Sequence, residues 1–198
     1  MAMVQSAAGG PTISKAGPAG THVAGGGPAA YTPPPIDRPP EKSNQCIMSQ
    51  PLSDILVVSL EQAVAAPHLT CRMADAGARV IKLERADGGG DFARGYDQHA
   101  HGMSSYFVWL NRGKESLAID IKNPDDMALL HKLLAKADVW VQNLAPGAME
   151  RAGLGSDSLR EKYQQLVTVD ISGYGEAGPP YDSMKAYDLL VQAESGLT

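Results

Sequence analysis

Short apolar runs alternate with helical patterns along most of the chain. Residues 55–58 form a short apolar run that is rich in β-branched side chains, which predicts a strand that is buried on both faces. Pro67 can begin a helix without losing a hydrogen-bond donor, and apolar residues follow it at helical spacing. Gly77 is suited to end that helix in a left-handed C-cap, and residues 80–83 are a second apolar strand. Strand, helix and strand in this order predict a right-handed βαβ unit with a parallel sheet.

The same alternation continues to the end of the sequence. Asn123 and Pro124 have the residue types of an N-cap and of a first helical position, so they predict a well-defined helix start. Because no closing element or polar tail follows the last predicted helix, we expect the chain to be part of a larger α/β protein. Further strands are predicted at 116–121, 138–142 and 166–171, and further helices at 104–110, 146–151, 156–165 and 187–197.

The first 47 residues differ in composition from the rest. They hold eight of the fourteen prolines and seven of the twenty-one glycines, and they offer little apolar surface to offset the entropy of ordering. We therefore predict a disordered extension over residues 1–47, followed by one α/β unit over residues 48–198. Met48 stands at this boundary, and we hypothesise that translation of the natural protein starts there.

Composition narrows the classes of partner and site. The formal net charge of −5 argues against nucleic acid or an acidic membrane as a partner bound by bulk electrostatics. No apolar stretch approaches the length of a membrane-spanning helix and no signal peptide is recognisable, so we expect a cytoplasmic protein without a membrane partner. Cys46 and Cys71 lack metal-ligand spacing, and His99 and His101 have no carboxylate or thiol at ligand spacing. We predict no metal site, and we expect Cys71 to be a buried reduced thiol.

Basic and amide side chains follow several of the predicted strands. Arg85, Lys122 and Asn143 each come after a strand, with Arg151 and Lys185 further on. In a parallel sheet these strand ends meet at one edge, where they would hold a polyanionic ligand together. The alternative is that they are ordinary solvated residues, and spacing alone leaves both interpretations open.

Two further features have competing interpretations. Residues 86–95 form a glycine-rich loop that matches neither GxxxxGK[ST] nor GxGxxG, so the loop by itself is weak evidence for phosphate binding. Asp188 is the carboxylate with the best context for chemistry, because it follows a glycine-rich loop and precedes an apolar helix. Its structural alternative is a helix N-cap.

Residues 51–198 resemble the class III CoA-transferases, the family of formyl-CoA transferase and of the CaiB and BaiF enzymes. The segments that carry the resemblance are PLSDILVVSLEQAVAAPHLTCRMADAGARVIKLER, GGGDFARG, NRGK-S-x-x-x-D-x-K, N-x-x-PG-x-x-x-R-x-G and SGYGEAGPPYDSMKAYDLLVQAESGL. The resemblance implies a Rossmann-like parallel sheet with flanking helices, as an incomplete part of a fold in which two ring-like chains interlock as a homodimer.

The resemblance also implies the substrates and their contacts. The substrates would be coenzyme A, carried as an acyl-CoA, and a free carboxylic acid. The implied contacts are Ala65 beside the nucleotide, Arg85 beside the adenosine phosphates, Ile119 and Lys122 beside the adenine and its phosphates, Asn143 and Leu144 along the pantetheine path, and Arg151 and Lys185 as further anion contacts.

In this family an aspartate attacks the thioester, and the reaction passes through a mixed anhydride and an aspartyl-CoA thioester. The resemblance places that aspartate beyond Thr198, so it assigns Asp188 a supporting role at most and implies that this chain alone is inactive. Related acyl-CoA racemases carry a histidine base where this chain has Tyr187, which disfavours a racemase. A non-catalytic CoA-binding remnant is the main alternative.

Overall fold

Five parallel strands and one antiparallel edge strand form a sheet in the computed structural model, which describes residues 4–6, 50–175, 178–181, 184 and 186–197. Strand β1 (Val4–Ser6) is antiparallel to β4 (Lys114–Ile119). The other strands are β2 (Leu56–Leu60), β3 (Arg79–Arg85), β5 (Val139–Gln142) and β6 (Val167–Asp170). The helices are α1 (Ala65–Asp75), α2 (Ser105–Asn111), α3 (Pro124–Leu134), α4 (Ala148–Arg151), α5 (Ser156–Lys162) and α6 (Asp188–Ser195), with a 3-10 helix at Phe92–Gly95.

The strands lie in the order β1-β4-β3-β2-β5-β6. The chain runs outward from β2 through β3 to β4, and it then returns past β2 to form β5 on the other side. This reversal makes β2 and β5 the switch point of a Rossmann-like sheet, where ligands of open α/β sheets bind. The predicted α/β class with a parallel sheet and flanking helices is confirmed.

The two faces of the sheet differ in chemistry. One face packs an apolar cluster against α3, α4 and α5, with Trp140 and Leu134 fully buried in it. The opposite face has a smaller apolar cluster around Val57 and Val80. On that second face, Lys82 lies between its register partners Ser59 and Ser116, so polar side chains form a row across three strands. Helix α1 packs on this second face and contributes the buried Ala66 to the smaller apolar cluster.

Local sequence signals account for the end of α1 and the start of α3. Gly77 has a φ of 104° immediately after α1, the left-handed geometry expected of it. Asn123 caps α3 by accepting a hydrogen bond from the backbone N–H of Asp125, and Pro124 is the first helical residue. These two helix signals are therefore confirmed, whereas the helix predicted to begin at Pro67 begins two residues earlier, at Ala65. No helix within the described ranges is long and apolar enough to cross a membrane.

Several predicted boundaries need correction. Pro146 does not open a helix: Gly147 takes a left-handed conformation with a φ of 74°, and α4 begins only after it. Strand β4 begins at Lys114, earlier than predicted, because Lys114 already pairs with Val80. Helix α5 ends before Tyr163. The side chain of Tyr163 is buried, and its backbone is no longer helical.

The predicted disordered extension is only partly described. Residues Val4–Ser6 fall within it, and the structure places them in the sheet as β1. The other residues of the extension, including Cys46, and also Met48 and Lys185, lie outside the described residues. The division into an extension and an α/β unit stays a prediction.

The apolar cluster on the α3 face should dominate the stability of the fold. Leu130 and Leu129 are neighbours on α3, but Leu130 is 1% exposed within the cluster and Leu129 is 38% exposed. We expect Leu130→Ala to lower the free energy of unfolding in urea by about 2–5 kcal/mol, since it leaves a cavity. Leu129→Ala should cost less than about 1 kcal/mol. Equal losses would contradict this packing.

Candidate functional site

The switch point is bridged by one side-chain amide. Asn143 directly follows β5, and Gln62 follows β2. The Oδ1 atom of Asn143 accepts a hydrogen bond from the backbone N–H of Gln62 at 2.8 Å, and its Nδ2 donates to the backbone carbonyl of Gln62, also at 2.8 Å. Two residues 81 positions apart are thereby fixed across the switch point, where the order of the strands in the sheet reverses.

The buried carboxylate of Asp91 contacts Ala63, the residue after Gln62, from the side of β3. The Oδ1 atom of Asp91 accepts hydrogen bonds from the backbone N–H of Ala63 at 3.2 Å and of Ala93 at 2.9 Å. Its Oδ2 atom lies 2.6 Å from Nζ of Lys82, whose side chain is 2% exposed. The loop after β3 is therefore joined to the loop after β2 by a carboxylate that a buried ammonium group holds.

A second buried ion pair lies beside the first. Nζ of Lys114 is 2.7 Å from Oε1 of Glu61 and 2.9 Å from the carbonyl of Pro67, which is in α1. The Oε2 atom of Glu61 accepts a hydrogen bond from the Thr70 hydroxyl at 2.7 Å. Oδ1 of Asn111 accepts hydrogen bonds from both Lys82 and Lys114, at 2.9 and 3.2 Å.

These side chains form a neutral buried network, which we define as Glu61, Lys82, Asp91, Asn111 and Lys114. It contains two carboxylates and two ammonium groups, so its formal charges cancel. Burial lowers the pKa of Lys114, and the adjacent Glu61 carboxylate acts in the opposite direction. Removing one partner of such a buried pair leaves an uncompensated charge, which typically costs about 3–5 kcal/mol. The network thus fixes the carboxyl ends of β2 and β3 against α1 and α2.

Glu84 forms a further ion pair near the end of β3. Its carboxylate accepts hydrogen bonds from Arg94, from the Ser116 hydroxyl and from the backbone N–H of Asp91. Burial alone raises the pKa of Glu84, but these donors outweigh it and lower the pKa to about 2. The guanidinium of Arg94 also stacks on the ring of Phe107, with its central carbon 3.8 Å from the ring centroid.

The structure brings several of the predicted contact residues to one edge of the sheet. Arg85 and Ile119 are register partners at the ends of β3 and β4, and Lys122 follows on the loop after β4. Arg85 is exposed and pairs with Asp87, Lys122 is exposed, and Ile119 is buried at 3% exposure. Ala65 is the first residue of α1 and is exposed, close in sequence to the Gln62 that Asn143 binds.

The remaining predicted residues have less uniform surroundings. Leu144 is half-buried against the apolar cluster, and its backbone N–H donates to the Gln142 side chain. Arg151 is exposed at the end of α4. Asp188 is exposed and is the first residue of α6, where it accepts a hydrogen bond from Gln192 at 2.7 Å. Its alternative role as an N-cap is wrong, because Tyr187 occupies that position.

Cys71 is a free thiol with 0% exposure, as expected from its place on α1. Its Sγ atom lies 3.6 Å from the carbonyl of Trp109, and burial raises the pKa of the thiol. His99 and His101 are both exposed. Among the residues that the structure describes, no group of three histidine, cysteine or acidic side chains is arranged to hold a metal ion.

Sequence reasoning missed the buried network. Lys82 stands in the middle of an apolar strand, and this was the one available signal, since a lysine buried on both sides needs a carboxylate partner. The partner of Lys114 is Glu61, 53 residues away, and no local pattern connects them. In the sequence, Asp91 is distinguished only as one residue of the glycine-rich loop 86–95.

Comparison with known proteins identifies related chains. The model of CoA-transferase family III matches residues 52–198. An acetyl-CoA:oxalate CoA-transferase from Acetobacter aceti is 37% identical over 147 residues, which are 74% of this chain and 37% of that protein. The human succinyl-CoA:glutarate CoA-transferase is 34% identical over 174 residues, covering 87% of this chain and 38% of its own length.

Solved structures agree with this relationship. A hypothetical protein from Mycobacterium tuberculosis superimposes with a TM-score of 0.68 at 36% identity, over 75% of this chain and 41% of that one. A CaiB/BaiF family protein from Brucella suis gives a TM-score of 0.69 at 32% identity, over 75% of this chain and 40% of that one. The chain thus spans about two fifths of the length of these relatives.

The ion pair of Glu84 predicts acid sensitivity. Its pKa is about 2 in the folded chain against an ordinary 4.5, so its contribution to stability is complete above pH 4.5 and is lost as pH falls toward 2. We expect the difference in unfolding free energy between wild type and Glu84→Gln to shrink by at most about 3 kcal/mol across that range. Urea unfolding at several pH values measures it.

The matched control is Glu161→Gln, which removes an exposed glutamate of α5. Its difference from wild type reports the general effect of removing one surface charge. Identical pH profiles for the two variants would contradict the role assigned to Glu84.

Proposed function

The chain belongs to CoA-transferase family III, and from this premise we propose that it forms the CoA-binding part of an enzyme that moves CoA between an acyl-CoA and a carboxylic acid. The CoA-transferase activities named above belong to proteins much longer than this chain, so the complete reaction is proposed for a protein that includes further residues. This chain would supply the nucleotide site and part of the path of the thiol arm.

The observation that carries the proposal is the register of β3 and β4. Arg85 and Ile119 are partners across these strands, with Lys122 on the loop that follows. CoA combines a flat adenine with several phosphate groups, so it needs an apolar surface beside cations. The exposed cations Arg85 and Lys122 offer phosphate contacts at these strand ends, where ligands of such sheets bind. Ile119 is 3% exposed, so the adenine would lie over the strand end rather than on this side chain.

Arg85 is available for phosphate despite its ion pair with Asp87. Both side chains are more than half exposed, at 64% and 53%. An exposed pair of this kind contributes little stability, typically about 0–1 kcal/mol, so a phosphate can replace Asp87 at small cost. The guanidinium has a planar set of donors that suits phosphate oxygens.

The pantetheine arm would leave this edge along the switch point, past Asn143 and Leu144. The Asn143 amide already binds both backbone groups of Gln62, so its contribution is to shape the path, while Leu144 offers apolar contact. Arg151 would serve as a further anion contact, and we extend the same role to Lys185. In the complete protein we expect two chains to assemble as an interlocked homodimer in the cytoplasm.

For the transfer itself we propose an aspartate nucleophile outside this sequence. Its carboxylate attacks the thioester carbonyl and expels CoA thiolate, which leaves a mixed anhydride. The thiolate then attacks the aspartyl carbonyl, which releases the first acid and gives an aspartyl-CoA thioester. The acceptor carboxylate repeats these steps in reverse. Asp188 would support this chemistry electrostatically, and Tyr187, which lacks the basicity of histidine, disfavours racemisation.

The CoA site can be tested with two arginines of one strand. Arg85 and Arg79 stand at opposite ends of β3, with side chains 64% and 63% exposed and each paired with a carboxylate. We expect calorimetry to show that Arg85→Ala weakens CoA binding about tenfold, because it removes charge-assisted hydrogen bonds to phosphate. Arg79→Ala should change it less than about twofold. Equal effects, or no binding by wild type, would contradict the proposal.

Turnover tests where the nucleophile lies. We expect the 198-residue chain to show no exchange of CoA between succinyl-CoA and glutarate above the rate without protein, because the proposed nucleophile lies outside these residues. Transfer is followed by chromatography of the two thioesters. Turnover that Asp188→Asn abolishes would instead place the nucleophile in this chain, at Asp188.

A further inference from the structure

The turn between β2 and α1 contains an unusual backbone conformation. Ala63 has a φ of 62°, in the left-handed region that residues with a side chain rarely adopt. Such a conformation persists only where its surroundings hold it in place. Ala63 is separated from the start of α1 by a single residue, so its conformation sets where the helix begins.

Two side chains from distant parts of the chain hold this turn. Asn143 binds the backbone N–H and carbonyl of Gln62, and Asp91 accepts the backbone N–H of Ala63. Their sequence separations from the turn are 81 and 28 residues. The turn is therefore fixed from both neighbouring strand ends, one on each side of β2.

The Asp91 carboxylate is itself oriented by its neighbours. Its side chain is 0% exposed, with one oxygen on Lys82 and the other shared between the N–H groups of Ala63 and Ala93. The Lys82 ammonium also donates to Asn111, so the cation has a second anchor. With both oxygens engaged, the carboxylate has little freedom to rotate away from the turn.

We propose that Asp91, oriented by Lys82, is a positioning residue that keeps Ala63 left-handed and so holds the start of α1 in place for CoA. The inference rests on the proposed function, because Ala65 at the start of α1 is one of the proposed nucleotide contacts. The first turn of α1 has no acidic residue that would repel an anion and no side chain that caps it. Asp91 acts through the backbone and does not itself touch the ligand.

The test separates a positioning role from a general structural one. Asp91→Asn loses the charge that pairs with Lys82, and Ala63→Gly places at the turn a residue that adopts positive φ without strain. The matched control is Asp97→Asn, since Asp97 also accepts backbone N–H groups, those of His99 and Ser105, but does not contact Ala63. Amide hydrogen exchange by NMR and CoA binding by calorimetry are measured on each variant.

In the free protein we expect Asp91→Asn to speed exchange of the Ala63 amide about tenfold or more beyond any change at the Val58 amide inside β2, which reports the general loss of stability from the unpaired Lys82. CoA affinity should fall about tenfold. In a chain that also carries Ala63→Gly, Asp91→Asn should lower CoA affinity about threefold or less, because glycine adopts the positive φ of the turn without help from Asp91. Asp97→Asn should alter neither the Ala63 exchange nor the affinity.

Three results would overturn the inference. One is exchange that speeds by the same factor at Ala63 and at Val58 in Asp91→Asn, which indicates only a general loss of stability. Another is unchanged exchange of the Ala63 amide in Asp91→Asn. The third is that Asp91→Asn lowers CoA affinity equally whether residue 63 is alanine or glycine. If Asp91→Asn does not fold, Ala63→Val replaces it, because a β-branched residue disfavours positive φ while Asp91 and Lys82 stay paired. Unchanged CoA affinity in that variant would also reject the inference.

A wild-type chain that binds no CoA would refute the proposed function. The exchange measurements on the free protein would then still decide whether Asp91 holds the turn. The two failures are therefore distinguishable.

Discussion

A buried ammonium group is stable only beside a carboxylate, and this constraint governs one whole side of the sheet. Lys82 and Lys114 project from neighbouring strands onto the same face, and their partners Asp91 and Glu61 come from loops at the carboxyl ends of β3 and β2. The loops must take the conformations that place these carboxylates correctly. The requirement to pair charge thus determines the backbone around the switch point, where the proposed ligand binds.

The sequence was sufficient for the class of fold and for most elements. Hydrophobic periodicity and the glycines and prolines between apolar runs predicted the strands and helices. Specific signals, such as Asn123 with Pro124 and Gly77, behave as expected. Two boundaries were wrong for different reasons. Lys114 joins β4 early because Val80, which is distant in sequence, pairs with it, and local propensity does not contain this contact. The left-handed backbone of Gly147 delays the start of α4 from Pro146 to Ala148.

The site was predictable only in part and for a similar reason. Residues at strand ends could be assigned to one edge because parallel strands all point the same way, and Arg85 and Ile119 do meet there. The network beneath that edge joins residues as far apart as Glu61 and Lys114, so no spacing rule reveals it. Asn143 illustrates the difference: its position followed from the strand, but its bond to the Gln62 backbone required the fold.

The contrast between the two sheet faces affects how this chain can diverge. On the α3 face, one aliphatic residue can replace another of similar volume with modest cost, so single changes accumulate independently. On the α1 face, a change at Lys82 or Lys114 leaves a carboxylate without its cation, and an intermediate with one partner missing is strongly destabilised. Variation there requires paired substitutions, so that face should drift far more slowly than its apolar counterpart.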